Sequence, residues 1–448
     1  MSGWNVLRAL ALALLAALLF ACATPAQRAL APPVPPTGPD IQAPASGEPL
    51  APVVDAEPID SAPASPWQRL RTQWAMAGCG HAGEVEREAR RYTRNPRQFS
   101  ASWQRAMPFL LLVLDEIERR RLPAEFALLP YVESHYTPIA ANGDGPAGMW
   151  QLMPRTARER GLRVRRDLDE RLDPIASTHA ALDLIERYDR EFGDWRLATM
   201  AFNAGEYRVK RELRKHRDAP LDDAQLARLD LSPITHQHLV RLLALACIVA
   251  DPQRFAIELP DPEPSDVLVA LDTAALDLRI AARLAGMPDA ALQRFNAAHR
   301  GPRMADDAPQ RLLVPGDRIA SLSAALRDAA PAVHGPWRTL RASEPLRLPE
   351  LAGSANVDSS LLAQVNGLDP DAVVAAGGRI LVPGHDAEKI AEAQAVGTTP
   401  HIVAKGDSLW TIARRHGVRV ADLLNWNALR ANTILRPGMR LDVHAPAR

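Results

Sequence analysis

Glu133 is the residue of this sequence whose surroundings best suit proton transfer. It follows the strongly apolar residues 128–132 and precedes Ser134. Apolar neighbours exclude water from a carboxyl group and favour its protonated form, which a general acid needs. A glutamate at a helix end is, taken alone, more often a solvated surface residue. The role of Glu133 therefore depends on the groups that accompany it.

Two further segments carry side chains suited to a sugar. Residues 148–154 read Gly-Met-Trp-Gln-Leu-Met-Pro, and residues 201–206 read Ala-Phe-Asn-Ala-Gly-Glu. Neutral amides and hydroxyls hydrogen-bond to sugar hydroxyl and acetamide groups, and apolar side chains pack against pyranose rings. The two methionines and the tryptophan of the first run are, by themselves, more typical of a core than of a cleft. The candidates for a saccharide cleft are Ser134, Met149, Trp150, Gln151, Met153, Phe202 and Asn203.

A second catalytic carboxylate is not evident in the sequence. Ordinary glycoside hydrolases place two carboxylates on either side of the bond that they cleave. Asp144 lies between two glycines and is typical of a turn, whereas Glu206 is typical of a helix cap or a structural ion pair. Glu133 is therefore the single convincing acid.

Composition narrows the class of partner. The 53 basic residues balance 53 acidic residues, so no basic field predicts a nucleic-acid partner. Three widely separated cysteines form neither a disulfide framework nor a metal cluster, and we expect no metal and no cofactor. Cys79 and Cys247 either pair in an oxidising compartment, or Cys247 is a buried small apolar residue.

Residues 67–255 have the pattern of an all-α domain, and residues 122–212 are the central segment of this domain. The segment from Asp173-Pro174 to Gly193 carries the start and stop signals of a helix. Two apolar stripes at three- and four-residue spacing predict buried helix faces: Met107, Leu110, Leu111, Leu114 and Ile117 in one segment, and Leu182, Ile185, Tyr188 and Phe192 in the other.

The remainder of the chain contains an internal repeat. Three units share a Leu/Ile-Ala pair, an asparagine about fifteen residues later, and a short closing apolar strand. We assign them to residues 262–318, 340–386 and 400–445, with a linker at 387–399. Each predicts a small strand–helix–helix–strand module, which makes the chain a multidomain protein of an α-helical domain followed by small α+β modules.

Residues 122–212 resemble the catalytic domain of lytic transglycosylases of the soluble-lytic-enzyme type, which has a lysozyme-like fold. The Glu-Ser pair at 133–134 and both runs above occur in the order and approximate spacing of that family. Within that family, the chain resembles the subfamily of membrane-bound lytic murein transglycosylase D. The resemblance implies that Glu133 is catalytic and that Gln151, Met153 and Asn203 line the saccharide cleft.

The chain departs from the family pattern at three positions. The family usually has Tyr where this chain has Phe202, commonly Ser where it has Asn142, and tends to have Tyr where it has His238. By position in the motif, Asn142 joins the predicted substrate-binding residues. A lost tyrosine hydroxyl near the acid would remove a hydrogen bond and lower activity.

The last repeat resembles a LysM module from residue 401 to Pro437-Gly438. That family binds glycans that contain N-acetylglucosamine in a shallow groove. The two earlier units lack the Gly-Asp-Ser-Leu-Trp start and resemble degenerate LysM modules, which serve either binding or spacing. The residues that would form the glycan groove are Gly406, Asp407, Ser408, Leu409, Ile434, Leu435, Arg436 and Pro437.

The N-terminus has the features of an export signal. Arg8 precedes an uncharged apolar run that is too short to span a bilayer comfortably. Residues 19–22 resemble a bacterial lipobox, which implies lipidation of Cys22, and Ala23 favours the outer membrane. Residues 23–66 are rich in proline and alanine and predict an extended tether. The alternative is ordinary cleavage that yields a soluble product.

These patterns together predict a lipid-anchored periplasmic lyase that cuts peptidoglycan without water and leaves 1,6-anhydromuramoyl ends. Its partners would be glycan strands, and the membrane through the anchor. Two alternatives stay open at this point. One is a hydrolytic muramidase on the same fold with Asp144 as the second acid, and the other is a wall-binding scaffold that has lost catalysis.

Overall fold

The computed structural model describes residues 65–76, 79, 83–138, 144–216, 222–329, 332–384, 398–427, 429–430 and 433–444. The predicted signal sequence, Cys22, the tether up to residue 64 and Asn142 lie outside these residues.

The first part of the described chain is built from helices packed around one core. They are α1 Pro66–Thr72, α2 Glu84–Tyr92, α3 Pro96–Arg120, α4 Leu129–Ser134, α5 Pro154–Glu159, α6 Pro174–Phe192, α7 Trp195–Ala204, α8 Glu206–Leu213, α9 Asp223–Arg228 and α10 Pro233–Ala250. The predicted helical class of this domain is confirmed.

The signals in the sequence correspond to physical contacts in α3 and α6. Met107, Leu110, Leu114 and Ile117 are fully buried on one face of α3. Asp173 caps α6 by accepting hydrogen bonds from two backbone N–H groups, and Gly193 ends it with φ +64°.

Helix α10 forms the centre of the domain. It is long and apolar enough to cross a membrane, but 61% of it is buried inside the protein, as expected of a core helix. Cys247 near its end is fully buried and forms a disulfide with Cys79, 168 residues earlier in the chain. The sequence left open whether Cys79 and Cys247 pair, and the structure contains this disulfide.

The rest of the chain forms small modules, each closed by a pair of antiparallel strands. In the first, β1 Leu268–Asp272 pairs with β2 Arg311–Pro315 around α11 Leu278–Leu284 and α12 Asp289–Phe295. In the second, β3 Trp337–Arg341 pairs with β6 Arg379–Pro383 around α14 Leu348–Ser354 and α15 Ser359–Asn366. In the third, β7 Thr398–Ile402 pairs with β8 Arg440–His444 around α16 Leu409–His416 and α17 Val420–Trp426.

Two features of the modules had no signal in the sequence analysis. Helix α13 Gly316–Ala329 follows the first module, and the second module contains an additional short pair, β4 Leu346–Arg347 with β5 Val373–Val374.

The first module packs directly on the helical domain. Phe295 and Leu313 belong to the same hydrophobic core as α3 and α10. The Arg311 guanidinium also lies 3.1 Å from the Asp173 carboxylate, which caps α6. The interface therefore joins the start of α6 to the closing strand of the module.

Candidate active site

Glu133 lies at the end of a short, firmly held helix. Helix α4 follows a 3-10 turn, Ala124–Leu128, and has Pro130 in its first turn, where a missing N–H costs nothing. The chain then reverses through His135 and Tyr136, which both adopt positive φ. The side chain of Glu133 is 15% exposed, so its carboxyl group is mostly shielded from solvent.

His238 on α10 holds one oxygen of this carboxyl group. Its Nε2 lies 2.8 Å from Glu133 Oε1, and the imidazole is 5% exposed. The other ring nitrogen, Nδ1, is buried and has no hydrogen-bond partner among the residues that the structure describes. A buried N–H without an acceptor costs more than a buried lone pair. This favours the tautomer in which Nε2–H donates to Glu133 and Nδ1 carries no proton.

A chain of neutral groups extends from α10 to Asn203. The Thr235 hydroxyl donates to Asn203 Oδ1 at 2.9 Å, and the Ser232 hydroxyl lies 2.9 Å from Thr235 Oγ1. Thr235 is buried, whereas Asn203 is exposed. Because its Oδ1 is engaged, Asn203 presents its Nδ2 amide group as a donor.

The loop that carries Gln151 is shaped by a close backbone approach. Gly148 has φ +79°, and a Cβ at this position would lie 1.8 Å from the Arg171 carbonyl oxygen. Arg171 is buried, pairs with Asp169 and donates to the carbonyl oxygens of Gly145 and Leu152. Gln151 itself adopts φ +47°, and its Nε2 donates to Gly148 O at 2.7 Å, which leaves Oε1 as an acceptor.

Several residues of the predicted cleft are buried in the structure. Met149 is 2% exposed and Trp150 is fully buried with its Nε1–H donating to Thr178, so both are core residues. Ser134 is also buried, and its hydroxyl donates to Met149 O at 2.9 Å. The Ser134 hydroxyl thus attaches the loop to α4. Met149, predicted to contact a sugar, has little surface to offer to a ligand in this structure.

The remaining predicted residues are placed where a ligand could reach them. Met153 is 49% exposed, Phe202 and Gln151 are half-buried, and Asn203 is exposed. Phe202 packs against Trp150 with ring centroids 6.2 Å apart. Asn142 lies outside the described residues.

The two other acids considered in the sequence have the structural roles expected of them. Asp144 is exposed in a turn. Glu206, in the first turn of α8, forms ion pairs with Arg187 and Lys210.

Sequence reasoning missed His238 and Thr235 as site residues. They lie three residues apart and therefore on one face of α10. The sequence did mark His238 as a departure from the family pattern, but the hydrogen bond to Glu133 depends on packing between helices 105 residues apart. Such a contact has no local signal.

In the third module, Asp407 has a structural position. Its side chain is 5% exposed, accepts from the Ala404 N–H and lies 2.8 Å from His401 Nε2. It therefore fixes the loop through these internal contacts, and its carboxylate offers little surface to a glycan. Ser408 caps α16 in a capping box with Thr411. Ile434, Arg436 and Pro437 are exposed, and Gly406 adopts φ +93°.

Comparisons with known proteins agree with this arrangement. The transglycosylase SLT domain family matches residues 116–224, the LysM domain family matches residues 401–443, and the LysM-like domain of lytic transglycosylase MltD matches residues 272–330. Membrane-bound lytic murein transglycosylase D of Escherichia coli strain K12 is 30% identical over 372 residues, which cover 80% of each chain. The protein of the same name from Escherichia coli O6:H1 strain CFT073 is similar to the same extent.

Proposed function

The chain belongs to the membrane-bound lytic murein transglycosylase D family, and from this we propose that Glu133 is its single catalytic acid and base. The protein is a lytic transglycosylase of peptidoglycan, a lyase, and its LysM module serves peptidoglycan binding. Neither alternative considered from the sequence, a hydrolytic muramidase or a decayed scaffold, gains support from these matches.

One observation carries the proposal for Glu133. Among the described residues it is the only carboxylate that is hydrogen-bonded to His238 of α10, and Thr235, one turn earlier on the same helix, is hydrogen-bonded to Asn203. Hydrolysis in the usual way requires a second carboxylate to activate water or attack the sugar. A reaction in which the substrate supplies its own nucleophile requires only one.

The reaction then proceeds with one proton moving twice through Glu133. The protonated carboxyl group gives its proton to the glycosidic oxygen between N-acetylmuramic acid and N-acetylglucosamine as the C1–O bond breaks. The N-2 acetamide of the muramic residue assists this departure. The C6 hydroxyl attacks C1, and the Glu133 carboxylate takes the hydroxyl proton, which regenerates the acid. The product carries a 1,6-anhydromuramoyl end, and no water is consumed.

The hydrogen bond from His238 determines which oxygen does this work. Because Nε2–H occupies Oε1, the transferable proton resides on Oε2, to which no described residue hydrogen-bonds. His238 is therefore a positioning residue. It also stabilises the carboxylate that exists between the two proton transfers.

The cleft residues offer complementary groups to an N-acetyl substituent. Asn203 presents an amide donor and Gln151 an amide acceptor, which match the carbonyl oxygen and the N–H of an acetamide. Met153 and Phe202 supply apolar surface for the sugar rings. In the LysM module we assign glycan contact to Gly406, Ser408, Leu409 and residues 434–437.

Glu133→Gln is the experiment that tests the assignment. The amide cannot donate and recover an acidic proton, so cleavage of purified sacculi should fall to background while the melting temperature and binding to sacculi stay at wild-type values. Cleavage by this variant at even a tenth of the wild-type rate would remove Glu133 from the role.

We further propose that the protein is periplasmic and anchored to the outer membrane by a lipid on Cys22. The lipobox-like residues 19–22, the membrane-bound relatives, and the Cys79–Cys247 disulfide, which persists in oxidising compartments, support this location. Labelling with a lipid precursor should mark the wild type and not Cys22→Ala. An unlabelled wild type would refute the anchor.

A further inference from the structure

A cavity of about 790 Å³ borders the catalytic helix on the side of α2 and α3. Val132 and Ser134, the two neighbours of Glu133 in the chain, form part of its wall. Arg241, one helical turn after His238 on α10, also lines it. The cavity thus lies beside Glu133, but its lining includes neither Glu133 nor His238.

The wall of this cavity carries an excess of positive charge. Arg91, Arg94, Arg105 and Arg241 line it together with one carboxylate, Glu88. Glu88 is shared between two of them, at 3.6 Å from both Arg91 and Arg241. Four arginines against one glutamate leave three positive charges on the wall.

Two of the arginines have no acidic partner among the described residues. Arg94 and Arg105 are exposed and form no ion pair with any residue that the structure describes. Arginine binds carboxylates through a planar fork of N–H donors, and it is most available for a ligand when no internal carboxylate occupies that fork.

The uncharged part of the wall adds hydrogen-bond donors. Burial raises the pKa of Tyr131, so its hydroxyl stays protonated. Burial and, after it, the charge of Arg105 lower the pKa of His135, so its imidazole is neutral at pH 7. The wall is therefore a set of donors and cations in which the one acid is already paired.

We propose that this cavity binds the carboxylates of the peptide stem attached to the muramic residue at the cleavage site. The inference rests on the proposed function, because it takes peptidoglycan as the substrate of Glu133. Sugar rings of the glycan carry no charge and give three unneutralised arginine charges nothing to bind. A stem peptide carries several carboxylates, and a cavity of this volume is within the range, roughly 300–1,000 Å³, of pockets that enclose ligands larger than a lactyl group.

The test compares two substrates. One is intact peptidoglycan, and the other is glycan treated with an amidase, which keeps the lactyl carboxylate but lacks the peptide. Arg94→Gln and Arg105→Gln should each raise KM for the intact material roughly three- to tenfold with kcat within about twofold. KM for the stripped strands should stay within twofold of wild type.

Arg97→Gln is the matched control. Arg97 is an exposed arginine on α3, three residues from Arg94 in the chain, and does not line the cavity. It should behave as wild type on both substrates. The proposal is overturned if the two cavity variants have the same KM for intact peptidoglycan as Arg97→Gln. It is also overturned if their KM rises equally for both substrates.

A binding measurement separates this proposal from the catalytic one. Stem peptides released by an amidase should bind the full chain with Glu133→Gln in calorimetry, and binding should weaken as ionic strength rises. Adding Arg94→Gln or Arg105→Gln should reduce it, and adding Arg97→Gln should not. Equal peptide binding by all forms would refute the cavity proposal without affecting the catalytic role of Glu133. Cleavage by Glu133→Gln would refute the catalytic role without affecting the cavity proposal.

Discussion

At the scale of single residues, we propose that the pair formed by Glu133 and His238 carries the chemistry. A carboxyl group that must first release and then recover a proton benefits from a neighbour that fixes one oxygen and leaves the other free. His238 Nε2 does this at 2.8 Å while its own ring is almost completely buried. The geometry of the acid is thus set by α10 as much as by α4.

His238→Phe should lower kcat by about 10- to 100-fold with KM little changed, because a hydrogen bond to a charged group contributes about 1.5–3 kcal/mol. The measurement is steady-state cleavage of sacculi. His238→Tyr is the matched comparison, because tyrosine differs from phenylalanine only by a hydroxyl, which can donate to Glu133. Tyr should recover most of the loss. A Phe variant with full kcat would show that the contact is not used.

Gly148→Ala should destabilise the protein by about 2 kcal/mol or more and abolish cleavage, since its Cβ would overlap the Arg171 carbonyl. Gly161→Ala is the control: it has a similar φ of +81° but nothing within 4 Å of the added carbon. Denaturant unfolding gives the loss in the free energy of unfolding for both variants. The loss in Gly161→Ala measures the cost of positive φ alone, and any additional loss in Gly148→Ala measures the clash. Equal losses would mean that the close approach is unimportant.

The candidate residues could be predicted from the sequence only where a motif named them. Glu133, Gln151 and Asn203 were found through resemblance, and the structure places all three at or near the surface of the helical domain. Met149 was assigned to the cleft because its motif neighbours are there, yet burial makes it a core residue. His238 was overlooked as a partner because its contact joins segments that only the packed fold brings together.

At the scale of elements, one asparagine explains why the repeat is visible in the sequence. Asn296, Asn366 and Asn427 each donate twice, to a carbonyl four residues earlier and to the closing strand, and accept from one N–H of that strand. Each therefore joins the second helix of its module to the strand that closes it.

Asn366→Ala should raise amide hydrogen exchange at Leu381 by about 30-fold or more. The variant loses three hydrogen bonds, at about 1 kcal/mol each, and leaves the strand N–H without its acceptor. Gln364→Ala is the control, because Gln364 is an exposed residue of the same helix. Unchanged protection of Leu381 in the Asn366 variant would contradict this role.

Elements with local signals were predicted well, and those without were not. The cap at Asp173 and the stop at Gly193 depend on neighbouring backbone groups, so the sequence is sufficient to locate α6. Helix α13 and the short pair β4–β5 lie between recognisable repeat units. Two-residue strands are too short for an alternating pattern to be recognised, and their pairing is decided by contacts distant in the chain.

At the scale of the whole molecule, the catalytic domain is tied together across long stretches of sequence. The first module shares the core of the helical domain through Phe295 and Leu313, so we expect the two to unfold together. The disulfide joins residues 79 and 247 and encloses most of the helices that build the active site.

Reduction of this disulfide should lower the free energy of unfolding by about 2–5 kcal/mol, because it releases a loop of 168 residues in the unfolded chain. Denaturant unfolding with and without reductant measures this. Cys79→Ser should be equally destabilised and insensitive to reductant. A difference below about 0.5 kcal/mol in the wild type would contradict a stabilising role.

In the proposed reaction one carboxyl group suffices because the sugar supplies its own nucleophile. Mass spectrometry of the fragments released from sacculi by the full chain tests this most directly. We expect muropeptides with 1,6-anhydro ends, each one water lighter than a reducing end, and no such muropeptides from Glu133→Gln. Fragments that all carry reducing ends would contradict it, since water would then have been the nucleophile.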